Sequence, residues 1–179
     1  MSKANITFQS SIKDAEVLLA HFDAVNQFPP PENAEVLKRA GLVMALTAWE
    51  TYVEDLTNEV LQFRLQSING SHFGGFIQNR LNKDLKYFHN PNSDKTKSLF
   101  LDYLGIDVTE FWKWNNYDQK RVKKTLDDLI SRRGEAVHRS RPLQQGIPAP
   151  HLVKREDLEK AIRFLKCLVE ATENAIAEK

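Results

Sequence analysis

The chain holds a single cysteine, Cys167, so no intrachain disulfide can form and no second thiol exists for a CxxC zinc or redox motif. No stretch approaches the roughly eighteen apolar residues that a membrane-spanning helix needs. The opening MSKANITFQS lacks a charged segment followed by an apolar one, so no signal peptide is expected, and with the lone thiol this points to a cytoplasmic protein. Seven glycines and seven prolines exclude collagen-like and long flexible character. An excess of charge is missing as well. Lys and Arg number 25 against 24 Asp and Glu, a net +1, so global charge advertises no nucleic-acid partner. Catalytic signatures are equally scarce: there is no HExxH, no Walker loop, no GxGxxG after a strand and no GxSxG. The histidines at 21, 72, 89, 138 and 151 are too widely spaced for a helical His pair, and neither a metal site nor a cofactor is expected.

What the chain does have is helical periodicity. Its 179 residues, 41% hydrophobic, suit one domain over residues 1–179 with a core that needs no staples. Ala15, Leu18, Leu19 and Phe22 mark an amphipathic helix between Ser11 and Val25, ended by Phe28-Pro29-Pro30-Pro31. A second, long helix opens at Pro31 or Glu32 and runs from about residue 33 to 67 on a stripe of Leu37, Ala40, Met44, Tyr52, Leu56, Val60 and Leu61, until Asn69-Gly70 stops it. A short helix carries Leu81 and Leu85. His89-Asn90-Pro91-Asn92 forms a turn, and Ser93 caps a helix through Tyr103 that Gly105 ends. The aromatic segment from Ile106 to Asn116 packs over the bundle, with Trp49, Trp112 and Trp114 expected in the core rather than stacking bases. Asp118 caps the next helix, whose stripe is Val122, Leu126, Leu129, Ile130, Arg133 and Val137. Arg141-Pro142 closes it, and Gln144 to Pro150 forms a loop. A last helix runs from Arg155 to about Ala177, with Cys167 near its apolar stripe. Strand-like alternation and internal repeats are absent. The fold class is all-α: an up-and-down bundle of four longer helices with a small helical insertion between the second and third.

Residues 120–141, KRVKKTLDDLISRRGEAVHRSR, concentrate charge. Eight Lys and Arg against three acids give this segment +5 and leave −4 for the rest of the chain. That suits a phosphate-bearing partner, although a solvated helix face accounts equally well for Lys120–Lys124 taken alone. Inside the segment lies Arg133-Gly134-Glu135-Ala136-Val137-His138. Chance supplies about 0.8 Arg-x4-6-His spacings in a chain with ten Arg and five His, so the spacing alone decides nothing. Context adds weight. Arg133 falls on an otherwise apolar stripe, so its guanidinium is aimed at an interface and needs an acidic or phosphate partner.

Three segments then carry a resemblance. Ala45-Leu46-Thr47-Ala48-Trp49-Glu50-Thr51-Tyr52-Val53-Glu54-Asp55-Leu56 sets an acid beside an aromatic on the second helix. Phe88-His89-Asn90-Pro91-Asn92 leads to Leu104-Gly105-Ile106 and Phe111-Trp112-Lys113-Trp114. Leu129-Ile130-Ser131-Arg132-Arg133-Gly134-Glu135-Ala136-Val137-His138 supplies a double arginine and a histidine. In this order they resemble the HEPN superfamily, in particular its subgroup encoded beside RNA ligase and phosphatase repair proteins (the RiboL-PSP-like HEPN subgroup). The match covers roughly residues 33–140. It departs at two positions: Gly134 stands where a polar residue is common, and Arg139 where glycine is common.

The resemblance implies a metal-independent endoribonuclease with a composite site in a homodimer. A toxin or defence role, with an antitoxin protein as partner, would follow. Arg133 and His138 would be catalytic, His138 taking the proton of an RNA 2′-hydroxyl and Arg133 stabilising the phosphate. Glu50 would support Arg133 or His138, and Arg132, Arg139 and Arg141 would bind neighbouring RNA phosphates. The products would be a 2′,3′-cyclic phosphate and a 5′-hydroxyl. On a straight helix five positions turn through about 140° net, so either the helix distorts near Gly134 or a second copy completes the site. His21, His72, His89 and His151 are assigned no role. The alternative is a non-catalytic dimer binding RNA, a nucleotide or a protein partner through the same segment. A bundle with no ligand fits the charge asymmetry less well.

Overall fold

A computed structural model of the chain describes residues 1–26, 31, 34–68, 70–138 and 153–178, with His138 described by its backbone alone. Six helices lie among these residues: α1 (Lys3–Val25), α2 (Ala34–Arg64), α3 (His72–Leu85), α4 (Ser93–Leu104), α5 (Gln119–His138) and α6 (Arg155–Ala177). No strand occurs among the described residues, and the only ladder-like pairing is an isolated bridge between Trp114 and Tyr117. The all-α expectation holds, with α3 and α4 as the insertion between the longer helices α2 and α5.

α1 begins well before Ser11. Ser2 caps it by accepting from the Asn5 amide at 2.9 Å, and the amides of Lys3 and Ala4 donate to the Glu59 carboxylate on α2 at 3.1 and 3.0 Å. Glu173 on α6 accepts from the Ser2 amide and hydroxyl at 2.9 and 2.6 Å. The orphan donors of the first turn therefore find acceptors on two other helices, and anions there suit the helix dipole. Ala4, Phe8, Ile12 and Ala15 bury the face that packs along α2.

α2 is the central helix. Leu42, Ala45, Leu46, Ala48, Trp49, Tyr52, Val53 and Leu56 are all buried, while Met44, expected in the stripe, is exposed. α4 is capped by Asn92, whose side chain accepts from the Lys95 amide at 2.9 Å. Ser93, expected as the cap, is instead the first helical residue; its amide and hydroxyl donate to Asp127 on α5 at 2.8 and 2.9 Å. Gly105, at φ 66°, ends α4 in the left-handed conformation that glycine adopts without a Cβ clash. A 3₁₀ turn at Val108–Phe111 then delivers Trp112 into the core, edge-on to Trp49 with ring centroids 6.2 Å apart. The Trp112 indole N–H donates to Thr172 Oγ1 on α6 at 3.0 Å.

α5 buries Val122, Leu126, Leu129 and Ala136, but Val137 is exposed. Seen from Leu129, Ala136 lies about 20° and Val137 about 80° around the helix, which is why the smaller residue faces inward. Asp118 caps α5 as expected, accepting from the Arg121 amide at 2.7 Å. α6 contributes Leu158, Ile162, Leu165, Leu168 and Val169, whereas Cys167 is only half-buried. The start of α2 at Pro31 or Glu32, the close of α5 at Arg141-Pro142 and the Gln144–Pro150 loop fall wholly or partly outside the described residues.

Thr172→Val keeps the volume but removes the acceptor for the buried Trp112 N–H. A stranded donor of this kind costs about 1–3 kcal/mol. The urea midpoint should fall accordingly, with the helical circular dichroism in buffer unchanged; an unchanged midpoint would mean that the indole is not held by Thr172.

Candidate active site

The turn after α3 is built from residues that favour it. Pro91 carries no amide hydrogen, and Asn90 adopts a left-handed φ of 54°, which asparagine tolerates better than most residues. Three contacts hold that conformation. The Asn90 amide donates to Glu50 Oε2 at 3.3 Å, the Trp49 indole donates to the Pro91 carbonyl at 3.0 Å, and Lys95 Nζ donates to the His89 carbonyl at 2.6 Å. Trp49 and Glu50, consecutive on α2, thus grip the turn from inside and outside the core.

Arg133 reaches the same place from α5. Its Nη1 donates to Glu50 Oε2 at 2.6 Å and to Asn90 Oδ1 at 2.7 Å, and its Nη2 donates to Thr47 Oγ1 at 3.2 Å. The Arg133 and Glu50 side chains retain only 18% and 16% of their exposure. The interface expected for an arginine on an apolar stripe exists, and its acidic partner is Glu50. An arginine has five N–H donors. Three are committed here, and among the described residues Nε–H and one Nη2 hydrogen have no further partner.

The other carboxylate oxygen of Glu50 faces a group to which the sequence assigned no role. His89 Nδ1 stands 3.5 Å from Glu50 Oε1, and the His89 side chain is 69% exposed. One helical turn along α2, Glu54 completes the acidic environment. Burial, with Glu50 and Asp55 adding like-charge repulsion, pushes its carboxyl from 4.5 up to about 7, and only His89 pulls it back.

The remaining expected residues are spread out. Arg132 points elsewhere, 3.4 Å from Asp157 on α6 and half exposed. Lys120, Arg121 and Lys124 are exposed, with Arg121 lying over the Tyr117 ring at 4.7 Å from its centroid. His138 ends α5, and its side chain, like Arg139 and Arg141, lies outside the described residues. α5 is unbroken from Gln119 to His138, so the helix does not break at Gly134. A Cβ placed on Gly134 would meet nothing within 4 Å, so steric crowding does not explain a glycine there. Trp49 and Trp112 are core residues, as expected, and Trp114 is half-buried against Tyr117 and Phe164. Sequence reasoning missed His89, Asn90 and Thr47. A signal for them existed: Thr47 and Glu50 share a face at a spacing of three, and the His-Asn-Pro-Asn turn was already singled out.

Comparison with known families gives a match to the RiboL-PSP-HEPN model over residues 9–178. The chain belongs to the RiboL-PSP-HEPN family. No curated protein and no solved structure matches it. HEPN domains are generally ribonucleases or nucleotide-related proteins, and they commonly act on RNA and dimerise. In this HEPN bundle no helix among the described residues is long and apolar enough to cross a membrane. No cluster of three or more His, Cys, Asp or Glu side chains suited to a metal ion occurs among them either.

The Glu54 shift carries a sign. Between 4.5 and about 7 the folded chain holds a proton that the unfolded chain has released. This contribution to stability is therefore fully present below pH 4.5 and lost as pH rises through 7. Glu54→Gln should stabilise the protein at pH 8 by about 1 kcal/mol, a figure discounted for a half-exposed group, with little effect at pH 4. Urea denaturation at both pH values checks this; an equal effect at both would exclude a raised carboxyl.

Proposed function

We propose that this HEPN protein is a metal-independent endoribonuclease, with residues 1–179 acting as a single domain. The observation that supports the reading best is the Arg133 guanidinium. It is fixed by Glu50, Asn90 and Thr47, keeps two donors unspent, and lies on the basic helix that ends in His138. A fixed cation with spare donors suits the scissile phosphodiester, whose charge grows as the 2′-oxygen attacks. His138 takes the 2′-hydroxyl proton; histidine ordinarily titrates near pH 6.5, close to working pH. The 2′-oxygen bonds to phosphorus and the 5′-oxygen departs, leaving a 2′,3′-cyclic phosphate and a 5′-hydroxyl. Arg132, Arg139 and Arg141 hold flanking phosphates.

The backbone between Arg133 and His138 turns through about 140° net on an unbroken helix. A homodimer answers this by bringing two copies of α5 to one cleft. Unrestrained RNA cleavage damages its own cell, which fits a cytoplasmic toxin or defence component restrained by an antitoxin protein.

Purified protein incubated with single-stranded RNA in EDTA should give cyclic-phosphate ends. Arg133→Ala and His138→Ala should each lower the rate by about 100-fold or more. RNA bound but left intact would favour the non-catalytic dimer, and cleavage undiminished in both variants would reject these residues. A monomer at micromolar concentration by sedimentation would reject the composite site.

A further inference from the structure

We propose that His89 is a second acid–base group of this site, donating the proton to the departing 5′-oxygen; this rests on the ribonuclease reading above. Transesterification of RNA moves two protons, one from the 2′-hydroxyl and one to the 5′-oxygen. His138 accounts for the first. Arginine does not give up its proton in proteins, so Arg133 is not the source of the second.

His89 is placed for that task. Its Nδ1 faces Glu50 Oε1, while Oε2 of the same carboxylate holds Arg133, so imidazole and guanidinium sit on the two oxygens of one side chain. At 3.5 Å the imidazole contact is longer than a hydrogen bond, as catalytic contacts often are before substrate tightens them. A carboxylate beside Nδ1 favours the hydrogen on that nitrogen and leaves Nε2 for the substrate. The ring is 69% exposed, so an RNA strand bound at Arg133 can reach it. Its backbone is held on the C-terminal side: Lys95 binds the His89 carbonyl, and the next residue, Asn90 at φ 54°, is held by Glu50 and Arg133. A side chain on such a turn keeps its place without substrate. The other histidines whose side chains the structure describes, His21 and His72, are both exposed, on α1 and at the start of α3.

The step balances. The 2′-hydroxyl proton goes to His138 as the O2′–P bond forms. The P–O5′ bond breaks, and protonated His89 passes its Nε2 proton to O5′. Exchange with water resets both rings.

The test uses two substrates, ordinary RNA and RNA with sulfur in place of the bridging 5′-oxygen at the cleavage site. A thiolate leaves without protonation, so only the ordinary substrate needs the acid. His89→Ala and His89→Gln should cleave ordinary RNA about 100-fold or more slowly than wild type, yet stay within a few-fold of it on the sulfur substrate. His138→Ala should be slow on both. If the His89 variants cleave ordinary RNA at the wild-type rate, or lose equally on both substrates, His89 is not the acid. A wild type that cleaves neither substrate overturns the ribonuclease reading, and this one with it.

Discussion

The Glu50 carboxylate is the group on which this end of the bundle depends. It binds Arg133, 83 positions away on α5, and the Asn90 amide, 40 positions away in the turn after α3. One side chain therefore ties three segments together, and the contacts of Arg133 with Asn90 and Thr47 and of Trp49 with Pro91 add to that tie. An ion pair withdrawn from water in this way adds little net stability, because both charges have given up hydration. What it supplies is position. Without Glu50 the half-hidden guanidinium would keep only the neutral acceptors Asn90 and Thr47, and a cation so placed would swing toward water or another anion.

The same stretch of α2 serves the fold. Trp49 turns into the core against Trp112 and Tyr52, and its indole N–H reaches the Pro91 carbonyl. Glu50, about 100° further around the helix, meets the same turn from its polar side. The turn is thus an extension of the core and not a loop laid over it. This explains how Asn90 keeps a left-handed conformation immediately before a proline, a placement that costs energy unless its surroundings enforce it.

Helix number and order were legible because they follow from apolar periodicity, a local property of the chain. Boundaries were legible where the signal is also local, as at Gly105, which ends α4, and Asp118, which caps the start of α5. The first turns of α1 were not, because their amides are satisfied by Glu59 and Glu173 on other helices. No window around residue 3 contains that information. Ser93 illustrates a different limit. It is a good cap by type, but Asn92 precedes it and Asp127 claims its hydroxyl. Arg133 was visible as a polar interruption of an apolar stripe, and Glu50 as an acid on the facing helix. His89 was hidden because an isolated histidine in a turn has no periodicity; only the third dimension sets it on the free oxygen of Glu50.

Charge accounting changes with the contacts known. The basic segment has +5 in sequence, but Arg133 is neutralised by Glu50, and Arg132 stands near Asp157. A phosphate approaching Arg133 meets a neutral pair with two spare donors, not a bare cation. Those donors give direction and little long-range attraction, since the fields of paired charges cancel within a few ångströms. For the proposed reaction, attraction must come from exposed cations such as Lys120 and Lys124 further along α5, whose field reaches about 8 Å at physiological salt. In the proposed reaction the helix would divide the work along its length. Its first turns would gather the polyanion by charge, and its last turns, where Glu50 orients the guanidinium, would fix one phosphate by geometry.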